Sequence, residues 1–181
     1  EINPSAEITA LQKIYEPGNA EEFQIAEYDY IVDAIDSLSN KYHLLLNASQ
    51  FKGRLFSSMG AALKIDPTAI KVAEFWNVRG CPLGAALRKK MKKEKMFPKH
   101  KFQCVYSEEL LQNHGENAQK EPCGHFFECD ADYHGDPTLQ HHDWSSQKAK
   151  INGTTSHITA IFGFTLAGLI IQDVYKKVET K

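Results

Sequence analysis

One stretch constrains this chain more than any other: Tyr28-Asp29-Tyr30-Ile31-Val32-Asp33-Ala34-Ile35-Asp36-Ser37, an apolar run that ends in two carboxylates and a helix start. Ile31, Val32, Ala34 and Ile35 are nearly continuous, the pattern of a parallel strand covered by helices on both faces. Leu38, Tyr42, Leu45 and Leu46 then recur at helical spacing, predicting a helix over 36–50, and Arg54 to Ser58 reads as the next strand. A β-helix-β order implies a right-handed crossover that brings Gly60 to the same sheet edge as Asp36. Ligands of open α/β sheets gather at the carboxyl ends of the strands, so Asp36 is a candidate metal or phosphate-site ligand. The competing reading is that Asp36 only caps the following helix, for which Asp is well suited.

Length sets the scale. At 181 residues and 42% hydrophobic, the chain supports one good-sized core, and a single domain over 1–181 is expected. The net charge of −2 argues against a general nucleic-acid coat. The charge is uneven, however: Arg88, Lys89, Lys90, Lys92, Lys93 and Lys95 crowd one predicted helix opened by Cys81-Pro82, and Lys99, His100 and Lys101 follow. Eight of the 21 basic residues thus fall between Arg88 and Lys101, either a phosphate-binding patch or a solvated helix face.

The other elements are less regular. Ala6 to Tyr15 reads as a strand and Ala20 to Ala26 as a short helix. Leu63–Ile65 and Ile70–Phe75, flanking Asp66-Pro67-Thr68, predict a hairpin, and Phe102 to Tyr106 a further strand, giving a mixed sheet with an antiparallel extension. Residues 110–150 show no steady periodicity and read as a long irregular loop. Thr154 to Lys177 predicts a long helix, apolar on almost every face and therefore buried all round by its own domain or by a partner subunit. Its apolar run, Ile158 to Ile171, reads as too short and too interrupted to span a bilayer, so no membrane association is expected.

Four cysteines in a chain of this length suit a reducing, cytoplasmic setting. Cys104 lies in an apolar strand and reads as core, while Cys81 precedes a helix whose dipole would favour thiolate. The loop gathers Cys123, His125, Cys129, Asp130, Asp132, His134, His141 and His142, but without knuckle spacing or a second cysteine pair, so zinc is not expected. Neither a Gly-x-Gly-x-x-Gly nor a Walker phosphate loop occurs among the 11 glycines. The chain opens on Glu1 with no signal peptide, which suggests a processed or excised piece.

Several segments together resemble a known family. Val32-Asp33-Ala34-Ile35-Asp36-Ser37, Gly60-Ala61-Ala62-Leu63-Lys64-Ile65-Asp66-Pro67-Thr68, Cys81-Pro82-Leu83 leading to Leu87-Arg88, Cys104-Val105-Tyr106-Ser107-Glu108-Glu109 and Ile161-Phe162-Gly163-Phe164 fall in the order found in the HesA/MoeB/ThiF superfamily. Within it they resemble the tRNA threonylcarbamoyladenosine dehydratases. The resemblance implies the C-terminal portion of a Rossmann-like ThiF/MoeB fold that lacks the N-terminal glycine-rich ATP loop. It implies an enzyme that uses ATP and Mg²⁺ to adenylate a carboxylate, cyclises the modified tRNA base with loss of AMP, and works as a cytoplasmic homodimer. It gives Asp36 a place beside the triphosphate and its Mg²⁺, with Asp33 and Lys41 as further nucleotide-site candidates. Arg88, Lys89, Lys92 and Lys93 become candidates for the tRNA backbone. Without the phosphate loop, this chain alone is expected not to adenylate. Two alternatives stay open: activation of a ubiquitin-like sulfur carrier, or a non-catalytic dimerisation or binding module.

Overall fold

A computed structural model describes residues 3–113 and 152–180 of the chain. Four strands form one mixed sheet: β1 (Tyr30–Asp33), β2 (Arg54–Ser58), β3 (Ile70–Glu74) and β4 (Gln103–Ser107), in the spatial order β1-β2-β4-β3. β1, β2 and β4 run parallel, whereas β3 pairs antiparallel with β4, Ile70 opposite Ser107 and Glu74 opposite Gln103. Three α-helices accompany the sheet: α1 (Leu38–Ala48), α2 (Pro82–Glu94) and α3 (Ser156–Glu179).

The side chains divide the molecule into three layers. On one face Ile31, Leu55, Cys104 and Tyr106 meet Leu45, Leu87 and Met91 of α1 and α2 in the main core. On the other, Phe56 and Val105 meet Ile158, Phe162 and Leu166 of α3 in a much smaller cluster. Alternation along β2 and β4 sends neighbouring residues to opposite faces, as a pleated strand requires. Asp33 falls on the α1 face with Ile31, and so does Ser57 with Leu55, which buries two polar groups inside the larger core.

Several expectations are corrected. Residues 6–15 form no strand: Ile8 and Leu11 are exposed, and only Tyr15 packs inward, its hydroxyl 2.9 Å from His43 Nδ1. The short helix expected over 20–26 is instead two 3₁₀ turns, Pro17–Phe23 and Ile25–Glu27. Leu63–Ile65 is not a strand, so β3 finds its antiparallel partner in β4 and not across the Asp66-Pro67-Thr68 turn. That turn is a 3₁₀ segment, Pro67–Ala69, capped by Asp66. Val32 is 45% exposed, because β1 is an edge strand among the described residues.

For α3 the expectation of burial by its own domain is corrected, while burial by a partner subunit stays open. A single stripe, Ile158, Phe162 and Leu166, rests on the sheet, while Phe164 (76%), Ile171 (67%) and Val178 (69%) face outward. The helix is therefore not buried all round among the described residues. Nor is it too short for a bilayer: its 24 residues contain an 18-residue stretch of mean hydropathy 1.6, long and apolar enough by length and composition alone. The Cys123 to His142 cluster lies outside the described residues.

Candidate functional site

The carboxyl edge of the parallel strands is built around a buried ion pair. Lys41, in the first turn of α1, and Asp33, the last residue of β1, have fully buried side chains, with Nζ 2.6 Å from Oδ2. The ammonium also donates to the carbonyls of Ile35 (3.1 Å) and Ser58 (2.7 Å). Its three protons thus have three acceptors. The carboxylate accepts from Ser57 Oγ (2.5 Å) on Oδ2 and from the Ile35 amide (3.0 Å) on Oδ1. Two buried charges are tolerable only when paired and hydrogen-bonded in this way. The network joins the ends of β1 and β2, the β1–α1 loop and the start of α1.

Asp36 sits on the loop that this network holds. The N-cap of α1 is Ser37, whose hydroxyl accepts from the Asn40 amide at 3.5 Å, so the cap reading of Asp36 does not hold. Asp36 is instead an exposed carboxylate at the edge where α/β folds bind ligands. Mg²⁺ is commonly held by one or two carboxylates together with substrate phosphates, and Asp36 offers one such group. Asp33 and Lys41, by contrast, face each other and the backbone and present nothing to solvent.

Sequence reading missed a second knot at the same edge. Leu63 adopts φ 58°, a conformation costly for a bulky side chain. Two backbone bonds hold it there, its amide donating to Gly153 O (3.0 Å) and its carbonyl accepting from Leu111 N (3.0 Å). Beside it, Lys64 is buried and donates to the Glu109 carbonyl. Burial pulls the Lys64 ammonium below its ordinary pKa, against the opposing charges of Cys81 and Glu109. The Glu109 carboxylate accepts from the Ile65 and Asp66 amides, both at 2.9 Å. Cys81 caps α2 through its sulfur, 3.5 Å from the Gly84 amide, and Cys104 is inert core, its thiol pushed far up by burial. Nothing in the local pattern of residues 60–66 announces this knot, because its partners lie far along the chain.

The basic helix divides by side. Arg88 turns inward, donating to the Phe75 carbonyl (3.1 Å) with its guanidinium 5.8 Å from the Phe75 ring centre. Lys89, Lys92 and Lys93 share one exposed face at i, i+3 and i+4. They lie toward the C-terminal end of α2, and that end lies near the amino ends of the parallel strands: Lys99, five residues beyond the helix, donates its amide to Ser49 at the end of α1 (3.0 Å). Asp36 and the lysines therefore occupy opposite edges of the sheet.

The architecture, a mixed α/β sheet with a C-terminal helix, matches a ThiF-like fold. It superposes on the crystal structure of E. coli tRNA N6-threonylcarbamoyladenosine dehydratase, TcdA, in complex with AMP, with a TM-score of 0.71 and 25% identity, over 99% of this chain and 62% of that one. The ATP complex of the same enzyme gives a TM-score of 0.69 at 24% identity. Its sequence relatives are tRNA threonylcarbamoyladenosine dehydratases. The Bacillus subtilis protein is 28% identical over 182 residues, 100% of this chain and 64% of the relative. The Escherichia coli protein is 32% identical over 116 residues, 61% of this chain and 43% of the relative. The chain spans less than two thirds of the length of these relatives. They carry the tRNA-modifying name and not that of a sulfur-carrier-activating enzyme. No family model matches the sequence.

Proposed function

We propose that this chain is the C-terminal part, as one domain, of an ATP-dependent tRNA threonylcarbamoyladenosine dehydratase. The observation that carries the reading is its similarity, over the whole chain, to the B. subtilis dehydratase, joined to the fold shared with the TcdA complexes. In this reading ATP supplies the adenylyl group that activates the carboxylate, and Asp36 helps to hold its Mg²⁺. Asp33 and Lys41 act on the nucleotide site indirectly, by fixing the loop that carries Asp36. The phosphate-binding loop comes from elsewhere in the full-length enzyme, so the 181-residue chain alone gives no ATP–pyrophosphate exchange; measurable exchange would overturn this part of the proposal. In the full-length protein, Asp36→Asn is expected to lower turnover about 100-fold or more, with fold and melting temperature kept. Unchanged turnover at saturating Mg²⁺ would remove Asp36 from the site.

The proposal includes a cytoplasmic homodimer without membrane attachment. The support for the homodimer is the outward apolar face of α3, on which Phe164, Ile171 and Val178 stay exposed among the described residues. A row of exposed large apolar residues marks an interaction surface. Phe164→Glu is expected to convert a dimer to a monomer in sedimentation equilibrium. A protein that sediments with membranes and resists salt extraction would count against the dimer and for a bilayer.

A further inference from the structure

The sheet's amino edge holds a cavity of about 570 Å³, far from Asp36, lined by Phe51, Lys52, Arg54, Glu74, His100 and Lys101 among others. Its volume lies within the range of small-molecule and nucleotide pockets. Arg54 is engaged, its guanidinium 2.7 Å from Asp173 Oδ1, and Glu74 accepts from the Trp76 amide at 3.0 Å. Lys52, His100 and Lys101 are exposed and, among the described residues, have no hydrogen-bond or ion-pair partner. Three unengaged basic groups thus converge on one concavity. The segment that leads into it, Arg88 to Lys101, carries eight cations against the single carboxylate of Glu94, a net +7 in a chain whose total is −2. Phe51, half-buried, supplies an apolar wall beside the charges.

We propose that this cavity is an RNA subsite that takes one nucleotide, its phosphate between Lys52 and Lys101 and its base against Phe51. The inference rests on the tRNA reading and adds where the RNA is gripped. A cationic groove with an aromatic platform is the recurring design for single-stranded nucleic acid. A flat anionic lipid surface would find no use for a concave, aromatic-walled site. β2 separates the two edges by its five residues, roughly 16 Å at about 3.3 Å per residue. The gripped nucleotide is therefore not the one whose base is modified at the Asp36 edge, but one several nucleotides away or on the adjoining stem.

The test is fluorescence anisotropy of the full-length protein with a labelled tRNA. Lys52→Glu/Lys101→Glu is expected to weaken binding about 10-fold or more and to lower the slope of log affinity against log salt by about 2. The control Lys13→Glu/Lys71→Glu, neither of which lines the cavity, stays within about twofold. Phe51→Leu keeps an apolar side chain in the core and is expected to lose several-fold affinity without a change in salt slope. Wild-type affinity in both cavity variants overturns the proposal. So does loss of binding to vesicles of anionic lipid with RNA affinity unchanged. AMP release from ATP by the wild type at saturating modified tRNA, measured in parallel, reports on the dehydratase reading separately: its absence counts against that reading, while the RNA titration still decides the cavity.

Discussion

Two ion pairs tie this protein together in opposite ways. Asp33–Lys41 is wholly inside, 2.6 Å apart, with every polar atom matched to a backbone or hydroxyl partner. Asp173 of α3 meets Arg54 at 2.7 Å, Lys177 at 3.1 Å and the Tyr30 hydroxyl at 2.7 Å, with both cations about half exposed. The first has no solvent to replace a lost partner; the second does. The interior pair therefore fixes geometry at the carboxyl edge, whereas the surface cluster only fastens one end of α3 across the sheet.

Breaking the interior pair gives the largest effect. Lys41→Met strands a buried carboxylate and is expected to destabilise the protein by about 3–5 kcal/mol in urea denaturation. Replacing both partners, Asp33→Leu with Lys41→Met, recovers only part of that, because Ser57 Oγ, the Ile35 amide and two carbonyls lose their partners. A double variant as stable as wild type would show that the network sets position without adding stability.

At the surface cluster, Asp173→Asn is expected to cost about 1 kcal/mol. Its pH dependence sharpens the contrast. Partial burial raises the Asp173 carboxyl, but hydrogen bonds from Tyr30 and Lys177 and the charge of Arg54 outweigh it, so the folded pKa lies below the ordinary value. The stabilisation is therefore fully present above the unfolded pKa of about 3.9 and is lost as pH falls through the lower folded value. A melting-temperature profile with the same acid limb in wild type and Asp173→Asn would contradict this.

The smallest effect belongs to the knot beside the first pair. Leu63→Gly relieves the φ 58° strain but frees the unfolded chain, so a gain of at most about 1 kcal/mol is expected. A clear loss would show that the Leu63 side chain contributes more than its backbone strain costs.

Much of this was legible in the sequence, for stated reasons. β2, α1, α2, β4 and α3 follow from apolar periodicity and from Pro82 at a helix start, since these signals are local. The carboxyl-edge placement of Asp36 follows from the strand-to-helix order alone. Ala6–Tyr15 misled because an apolar alternation without a neighbouring strand has no ladder to join. The resemblance made Asp33 and Lys41 nucleotide-site candidates, but their mutual burial was invisible, because it depends on Ser57 and Ser58 arriving from another strand.

By itself, the sequence determined the α/β order, the acidic end of β1, the basic run from Arg88 to Lys101 and a resemblance to tRNA threonylcarbamoyladenosine dehydratases. Only the tertiary structure decided that β3 pairs with β4, that α3 keeps an outward apolar face, and that Asp36 and the exposed lysines of α2 stand at opposite edges of one sheet. Local pattern records which residues are apolar or charged along one element. Which edge or face they reach depends on contacts between segments tens of residues apart, and these exist only once the chain is folded.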